Sequence, residues 1–314
     1  MNLKKSLVPL ISDLTKGTNI RSILSLLEKM QSYSQQEIKD WRDEKFVNLI
    51  NHFYNNSSYY HKKVYDHGIH PQNISSIDDI RLLPIISKQE LIKNRQEVIP
   101  KNINSIKYNT TATGGSTGDP LKFLLDKESL SFNTAFNIIS WEKHGYRYGD
   151  KHLVFGSSSL NVKKNVPISN IVYDYLRGRI PVGGTDLSNV FIKSHLDLIS
   201  SKRIKHLYGY ASSIFLIALF YKDNNILPPA NIKTCFTTAE ILSDHYRQTI
   251  EEYLGCKVVD CYGARDGGVT AYETSYKNYE VSYHSYIEVD SETESGEILC
   301  TDLFNYAFPF VRYR

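Results

Sequence analysis

Between residues 152 and 261, short runs rich in apolar side chains recur at intervals that leave room for a helix between them. His152–Phe155, Ile204–Tyr208, Ile232–Phe236 and Lys257–Cys261 are too short for helices and read as strands buried in a sheet. Val190–Ser200, Ser212–Lys222 and Asp244–Leu254 read as helices, the last with Ser243 as its cap and Gly255 as its stop. Alternation of this kind restricts the chain to βαβ units, hence to an α/β fold with a mainly parallel sheet flanked by helices. Parallel neighbours need long crossovers, which purely helical or hairpin-built folds do not supply.

The flanking sequence has a different character. The first hundred residues read as helical. Ser34 and Glu37 form a capping box ahead of Ile38, Trp41, Phe46, Leu49, Ile50 and Phe53, and Ser87 and Glu90 repeat the box before Leu91 and Ile92. Ile106–Thr111 and Leu121–Leu125 read as strands on either side of a glycine-rich loop, and Lys127–His144 as a helix ended by Gly145. Tyr279–Val289 and Glu297–Asp302 read as strands joined by a polar turn at Ser291–Gly296. The expected organisation is a helical region over 1–104, an α/β core over 105–275, and a β-rich segment over 276–314.

Composition narrows the partners. With 314 residues, 41% hydrophobic and 23% charged, the chain can bury one large core or two ordinary ones. The net charge is +3, and the Lys and Arg residues are dispersed along the sequence, which argues against nucleic acid. The 23 tyrosines would suit a sugar- or base-binding surface, or simply reflect a bias shared with Asn, Ile and Lys. The longest apolar run, Ile214–Tyr221, falls well short of the ~20 residues that span a bilayer, so no stable membrane insertion is expected. Lys4 and Lys5 before Leu7–Ile11 imitate a signal peptide, but Pro9 and Asp13 interrupt the run. Cys235, Cys256, Cys261 and Cys300 lack a CxxC pair and read as reduced thiols of a cytoplasmic protein. The alternative is a zinc site using Cys256, Cys261 and a histidine.

Four segments carry chemistry. In Thr113-Gly-Gly-Ser-Thr-Gly-Asp-Pro120, Gly114, Gly115 and Gly118 allow backbone N–H groups to converge on an anion, and Thr113, Ser116 and Thr117 add hydroxyl donors. A polyphosphate fits this donor set. Asp119-Pro120 stands where a Walker loop has its lysine, and a plain Gly/Ser turn is the alternative. Thr237-Thr-Ala-Glu240 follows one strand, and Tyr262-Gly-Ala-Arg-Asp266 follows the next. If those strands are neighbours, both clusters lie at the carboxyl edge where open parallel sheets bind ligands. Tyr262 would stack on a base, Glu240 would accept from the exocyclic amine of adenine or help organise a metal, and Asp266 would hold Mg²⁺ through oxygen. Ordinary turns and a helix-start carboxylate are the alternatives. In the last segment, Gly296–Arg314, the apolar residues look structural, while Arg312 and Arg314 would face phosphate or ribose, or else pair with carboxylates.

The ordered set resembles the adenylate-forming superfamily. Thr113–Pro120 is similar to its phosphate-binding loop, Thr237–Glu240 to its Gly-Ala-Glu or Thr-Thr-Gly-Glu segment, and Tyr262–Asp266 to its Tyr-Gly-x-x-Glu segment. The terminal run is similar to one that reads Pro-Leu-Ile-Arg-Tyr-Arg-Thr-Gly-Asp. With Gly209-Tyr-Ala-Ser-Ser213 upstream, it looks like the phenylacetate–CoA ligase branch and, within it, the CapK-type proteins of capsular polysaccharide loci. The resemblance runs from about residue 30 onward. It implies the large N-terminal domain of an adenylate-forming ligase, with 105–275 as the nucleotide-binding core.

The resemblance also implies a reaction. A carboxylic acid attacks ATP, with Mg²⁺, to give an acyl-adenylate, and coenzyme A or an amine then takes the acyl group. Thr113, Gly115, Ser116, Thr117 and Gly118 would serve the β- and γ-phosphates. Glu240, Tyr262 and Gly263 would serve the adenine side, Asp266 the Mg²⁺, and Tyr210 and Ser212 the acid. Thr117 and Asp266 would be the catalytic pair. Gly114 and Asp266 depart from the family's Ser and Glu. The sequence given ends at Arg314, before the family's ribose-binding Asp and its lysine-bearing lid domain. The expectation is therefore weak catalysis by these residues alone, with a homodimer or a separate chain supplying the lid as partner. A non-catalytic nucleotide- or partner-binding protein is the competing reading.

Overall fold

Local signals explain most of the helices. A computed structural model describes residues 3–113, 120–156, 168–183, 193, 198–199, 201, 203–227, 229–290 and 296–314. Helix α1 (Leu3–Lys16) is followed by α2 (Ile20–Met30), α3 (Gln35–Asn56) and α4 (Ser58–Asp66), and two shorter helices, α5 (Lys88–Lys93) and α6 (Arg95–Val98), come later. Both expected capping boxes form: Glu37 N–H donates to Ser34 Oγ at 3.2 Å, and Glu90 N–H to Ser87 Oγ at 3.3 Å. Each box satisfies donors that a helix start leaves without partners.

The described residues gather into two compact units. The first comprises Met1–Ile11, Asn137–Gly263 and Ala271–Glu280. Most of a seven-stranded sheet lies here, in the order β4-β3-β5-β6-β7-β8-β9. Its strands are β3 (His152–Gly156), β4 (Arg179–Gly183), β5 (His206–Tyr210), β6 (Thr234–Thr238), β7 (Lys257–Ala264), β8 (Val269–Ser275) and β9 (Asn278–Val281). The pairings from β4 through β3, β5 and β6 to β7 are all parallel, as the alternation implies.

Side chains alternate between the two faces of this sheet. Leu153, Phe155, Leu207, Cys235 and Val258 share one cluster with Ile214, Ile217, Ile250 and Leu254, which come from helices α9 (Ala211–Asp223) and α10 (Asp244–Leu254). On the other face, Trp141 near the end of α7 (Lys127–Lys143) stacks on Phe236 with ring centroids 4.3 Å apart and donates to the Tyr272 hydroxyl at 3.0 Å. Gly209 is required by close approach: a Cβ there would lie 2.1 Å from the Phe155 carbonyl oxygen on β3.

The second unit comprises Ser12–Phe136, Ala264–Thr270 and Val281–Arg314. It holds the antiparallel pair β1 (Tyr108–Ala112) and β2 (Lys122–Asp126), and a second antiparallel pair, β10 (Ser285–Asp290) and β11 (Glu297–Asp302). Its core is aromatic. Phe123 packs on Phe308 and Phe310 with centroids 6.2 and 5.1 Å away, and Phe304 lies 4.3 Å from Phe132 and 5.6 Å from Trp41. Tyr313 is held by backbone bonds in both directions to Cys300, while Ile86 accepts from Arg314 N–H at 3.0 Å.

Several boundaries differ from the sequence reading. β5 and β6 begin two residues later than the apolar runs, because Ile204 and Ile232 are buried ahead of the strands. The expected strand Tyr279–Val289 is two strands, since Ser282 turns the chain by donating its N–H to Thr270 O at 2.8 Å. β4 and the helix before it, α8 (Ile168–Leu176), were not anticipated. Most of the helix expected at Val190–Ser200, and the turn over 291–295, lie outside the described residues. No helix among the described residues is long and apolar enough to cross a membrane.

Candidate nucleotide and acid site

The carboxyl ends of β5, β6 and β7 are consecutive in the sheet, but the two polar clusters begin inside their strands: Thr237 and Thr238 are the last residues of β6, Tyr262, Gly263 and Ala264 the last of β7, and only Ala239, Glu240, Arg265 and Asp266 lie beyond. β5 runs directly into α9, with Tyr210 as the N-cap residue in extended conformation and with no side-chain cap bond. The first-turn N–H groups of α9 therefore need another acceptor. Glu240 supplies one: its Oε2 accepts from Ser212 N–H at 2.9 Å. A carboxylate in that place also meets the positive end of the helix dipole, a gain of about 0.3–1 kcal/mol.

The backbone is bent to bring Glu240 there. Ala239 has φ +64°, in the left-handed region that an alanine adopts only at a cost of roughly 1–2 kcal/mol. Tyr262 and Gly263 fall within the last residues of β7, and Tyr262 is 46% exposed.

A polar network that the sequence reading missed stands behind these residues. Thr237 Oγ1 donates to Asp260 Oδ1 at 2.7 Å, and the Tyr279 hydroxyl donates to Asp260 Oδ2 at 2.5 Å. Burial, then the bond to Asp260, pushes the Tyr279 phenol up. Arg247 forks onto Glu273 at 2.8 and 2.7 Å, and Glu273 also accepts from Asp260 N–H at 3.2 Å. The available signal was a polar residue within each buried strand: Thr237 in β6 and Asp260 in β7.

The remaining candidates belong to the second unit. Thr113 closes the β1–β2 hairpin: its N–H donates to Leu121 O at 3.0 Å, and its Oγ1 accepts from Leu121 N–H at 2.9 Å. The hydroxyl proton can still be given to another acceptor. Gly114, Gly115, Ser116, Thr117, Gly118 and Asp119 lie outside the described residues. Asp266 sits half-buried in the turn between β7 and β8, and its Oδ2 accepts from the Tyr313 hydroxyl at 3.2 Å. Burial and the Asp266 charge raise the Tyr313 phenol well above its ordinary value.

The following turn residue, Gly268, has φ +68°, and a Cβ there would lie 2.2 Å from Asp302 Oδ2. Arg312 and Arg314 follow the second of their two readings. Arg312 Nε donates to Glu288 Oε2 at 3.0 Å and its guanidinium to Leu83 O at 2.6 Å, while Arg314 pairs with Asp290 and with Glu297. Among the described residues, no group of three or more His, Cys, Asp or Glu side chains is gathered to hold a metal. Cys256 adjoins Cys235 instead of joining Cys261 and a histidine in a zinc site.

No protein-family model matches the chain. CapK of Staphylococcus aureus is 26% identical over 285 residues, which cover 88% of this chain and 61% of CapK. A phenylacetate–coenzyme A ligase of Pseudomonas putida is 23% identical over 316 residues, covering 92% of this chain and 68% of the ligase. A 2-hydroxyisobutyryl-CoA ligase crystallised with an acyl-AMP in its postadenylation state superposes with a TM-score of 0.71 at 18% identity, over 90% of this chain and 63% of that one. The chain thus spans 61–68% of the length of these relatives. In sequence it is CapK- and phenylacetate–CoA ligase-like, and it shares the fold of the matched part of 2-hydroxyisobutyryl-CoA ligase.

Proposed function

We propose that the chain carries the nucleotide- and acid-binding part of an ATP-dependent carboxylate-activating ligase. A carboxylate oxygen of the substrate attacks the α-phosphorus of ATP, pyrophosphate leaves, and an acyl-adenylate forms. A thiol, that of coenzyme A, or an amine then takes the acyl group and AMP departs. The observation that carries this reading is the Ser212–Glu240 bond. It places a fixed carboxylate beyond β6, with Tyr262 at the end of the next strand, along the edge where parallel sheets bind ligands.

In this reading Glu240 keeps its second oxygen for the exocyclic amine of adenine, Tyr262 stacks on the base, and Gly263 leaves room beside it. Tyr210 and Ser212 line the acid pocket. Thr113, Gly115, Ser116, Thr117 and Gly118 donate to the β- and γ-phosphates. Asp266 fits Mg²⁺: it offers a hard carboxylate with one oxygen bonded to Tyr313, and Mg²⁺ is commonly held by one carboxylate plus substrate phosphates. The ion would neutralise charge on the phosphates during transfer. The likeness to CapK supports a sugar acid or amino acid of surface-polysaccharide assembly as the substrate.

Pyrophosphate release with ATP and a panel of carboxylic acids tests the reading. Thr117→Ala and Asp266→Ala should each abolish the release. Unchanged release by Asp266→Ala would remove the metal assignment. No release with ATP binding intact would leave a non-catalytic nucleotide-binding protein.

A further inference from the structure

We propose that Cys235 and Cys256 form a reversible disulfide, an oxidative modification site between β6 and β7. Cys235 lies in β6, and Cys256 lies between Gly255, where α10 ends, and the start of β7. The register sets Cys235 opposite Val258, which follows Cys256 by two positions and shares its face. The two sulfurs are 3.2 Å apart. A disulfide needs about 2.05 Å, so the two sulfurs must draw about 1.2 Å closer for the bond to form. Neither other cysteine is placed this way. Cys261 points its thiol at Val259 O, 3.7 Å away, and Cys300 lies in the second unit beside Gly267.

Access sets the order of events. Cys235 is 0% exposed and Cys256 is 8% exposed, so Cys256 meets the oxidant first. The oxidant is a low-molecular-weight disulfide. The Cys256 thiolate attacks one of its sulfurs, a mixed disulfide forms, and one small thiolate leaves. Cys235 then gives its proton to water and attacks Cys256 Sγ, expelling the second small thiolate. Two protein thiols are oxidised and one small disulfide is reduced to two thiols. Burial holds the Cys235 thiol well above its ordinary value, which makes the second step slow and keeps the reduced pair stable between oxidising events. The closed segment contains Glu240 and all of α10.

The test is oxidation of the folded chain with oxidised glutathione, with circular dichroism confirming that it stays folded. Thiols counted after denaturation should fall from four to two, and a reductant should restore four. Trypsin cuts between the two residues at Arg247, so the peptides carrying Cys235 and Cys256 should be found joined. Cys256→Ser should keep its three remaining thiols under the same treatment. If that variant fails to fold, the peptide map of the unaltered chain decides. Four thiols persisting in the folded chain, a join involving Cys261 or Cys300, or a bond that forms only in denaturant would each overturn the proposal.

Discussion

Replacing Asp302 by Asn should remove a pH dependence built into the second unit. Asp302 closes β11 and is 1% exposed. Its Oδ2 accepts from the Ser129 hydroxyl at 2.6 Å and its Oδ1 from Phe304 N–H at 3.1 Å. Burial, reinforced by the nearby Asp126 charge, raises this carboxyl from 3.8 to about 7. The folded chain therefore keeps a proton that the unfolded chain releases. That contribution to stability is complete below pH 3.8 and is lost as pH rises through about 7. Between pH 5 and pH 8 the loss is roughly 2–3 kcal/mol, since each pKa unit corresponds to somewhat more than 1 kcal/mol. Asn has the same shape, still accepts from Phe304, and lets Ser129 rotate to accept from its amide. Urea unfolding of both proteins at the two pH values reads the effect. Relative to the variant, the unaltered chain should lose roughly 2–3 kcal/mol on going to pH 8. Titrating groups other than Asp126, which feels the Asp302 charge, are present in both proteins and cancel in the difference. The same stability gap at both pH values, or a gap that shifts in the opposite direction, would refute the reasoning.

Two backbone substitutions should move stability in opposite directions. Gly268→Ala combines a left-handed φ of +68° with a 2.2 Å collision against Asp302 Oδ2, and should cost about 2–5 kcal/mol in urea unfolding. Ala239→Gly should instead stabilise by roughly 0.5–1 kcal/mol, because relief of strain at φ +64° exceeds the added freedom of the unfolded chain. A loss of stability in Ala239→Gly would show that the bend beside Glu240 is unstrained.

Features governed by neighbours in sequence were the legible ones. α10 runs Asp244–Leu254, the expected span, because Ser243 caps it and Gly255 ends it in the left-handed conformation. The carboxyl edge was legible too, since βαβ alternation dictates parallel strands. What stayed hidden depended on strand order and on long-range partners. The acceptor for the α9 start comes from Glu240, 28 residues downstream, and nothing near Ser212 announces it. Arg312 and Arg314 offered two readings until Glu288, Asp290 and Glu297 were placed beside them by the β10–β11 pairing. α8 ends at a glycine signal, Gly178 with φ +70°, but no Ser, Thr, Asp or Asn stands immediately before the helix, and Ile168, Ile171, Val172 and Tyr175 on it are exposed, so its apolar positions do not mark a buried face.

The aromatic core of the second unit has a consequence for synthesis. Phe123, Phe132 and Trp41 belong to the part of the chain made early, whereas Phe304, Phe308 and Phe310, which they pack against, are made only after residues 137–280. On the ribosome, half of that core must wait with its rings uncovered while an entire other unit is translated and can fold. The order of emergence thus favours completing the interrupting unit first. The aromatic half-core is the kind of transiently exposed apolar surface that chaperones shield during that interval.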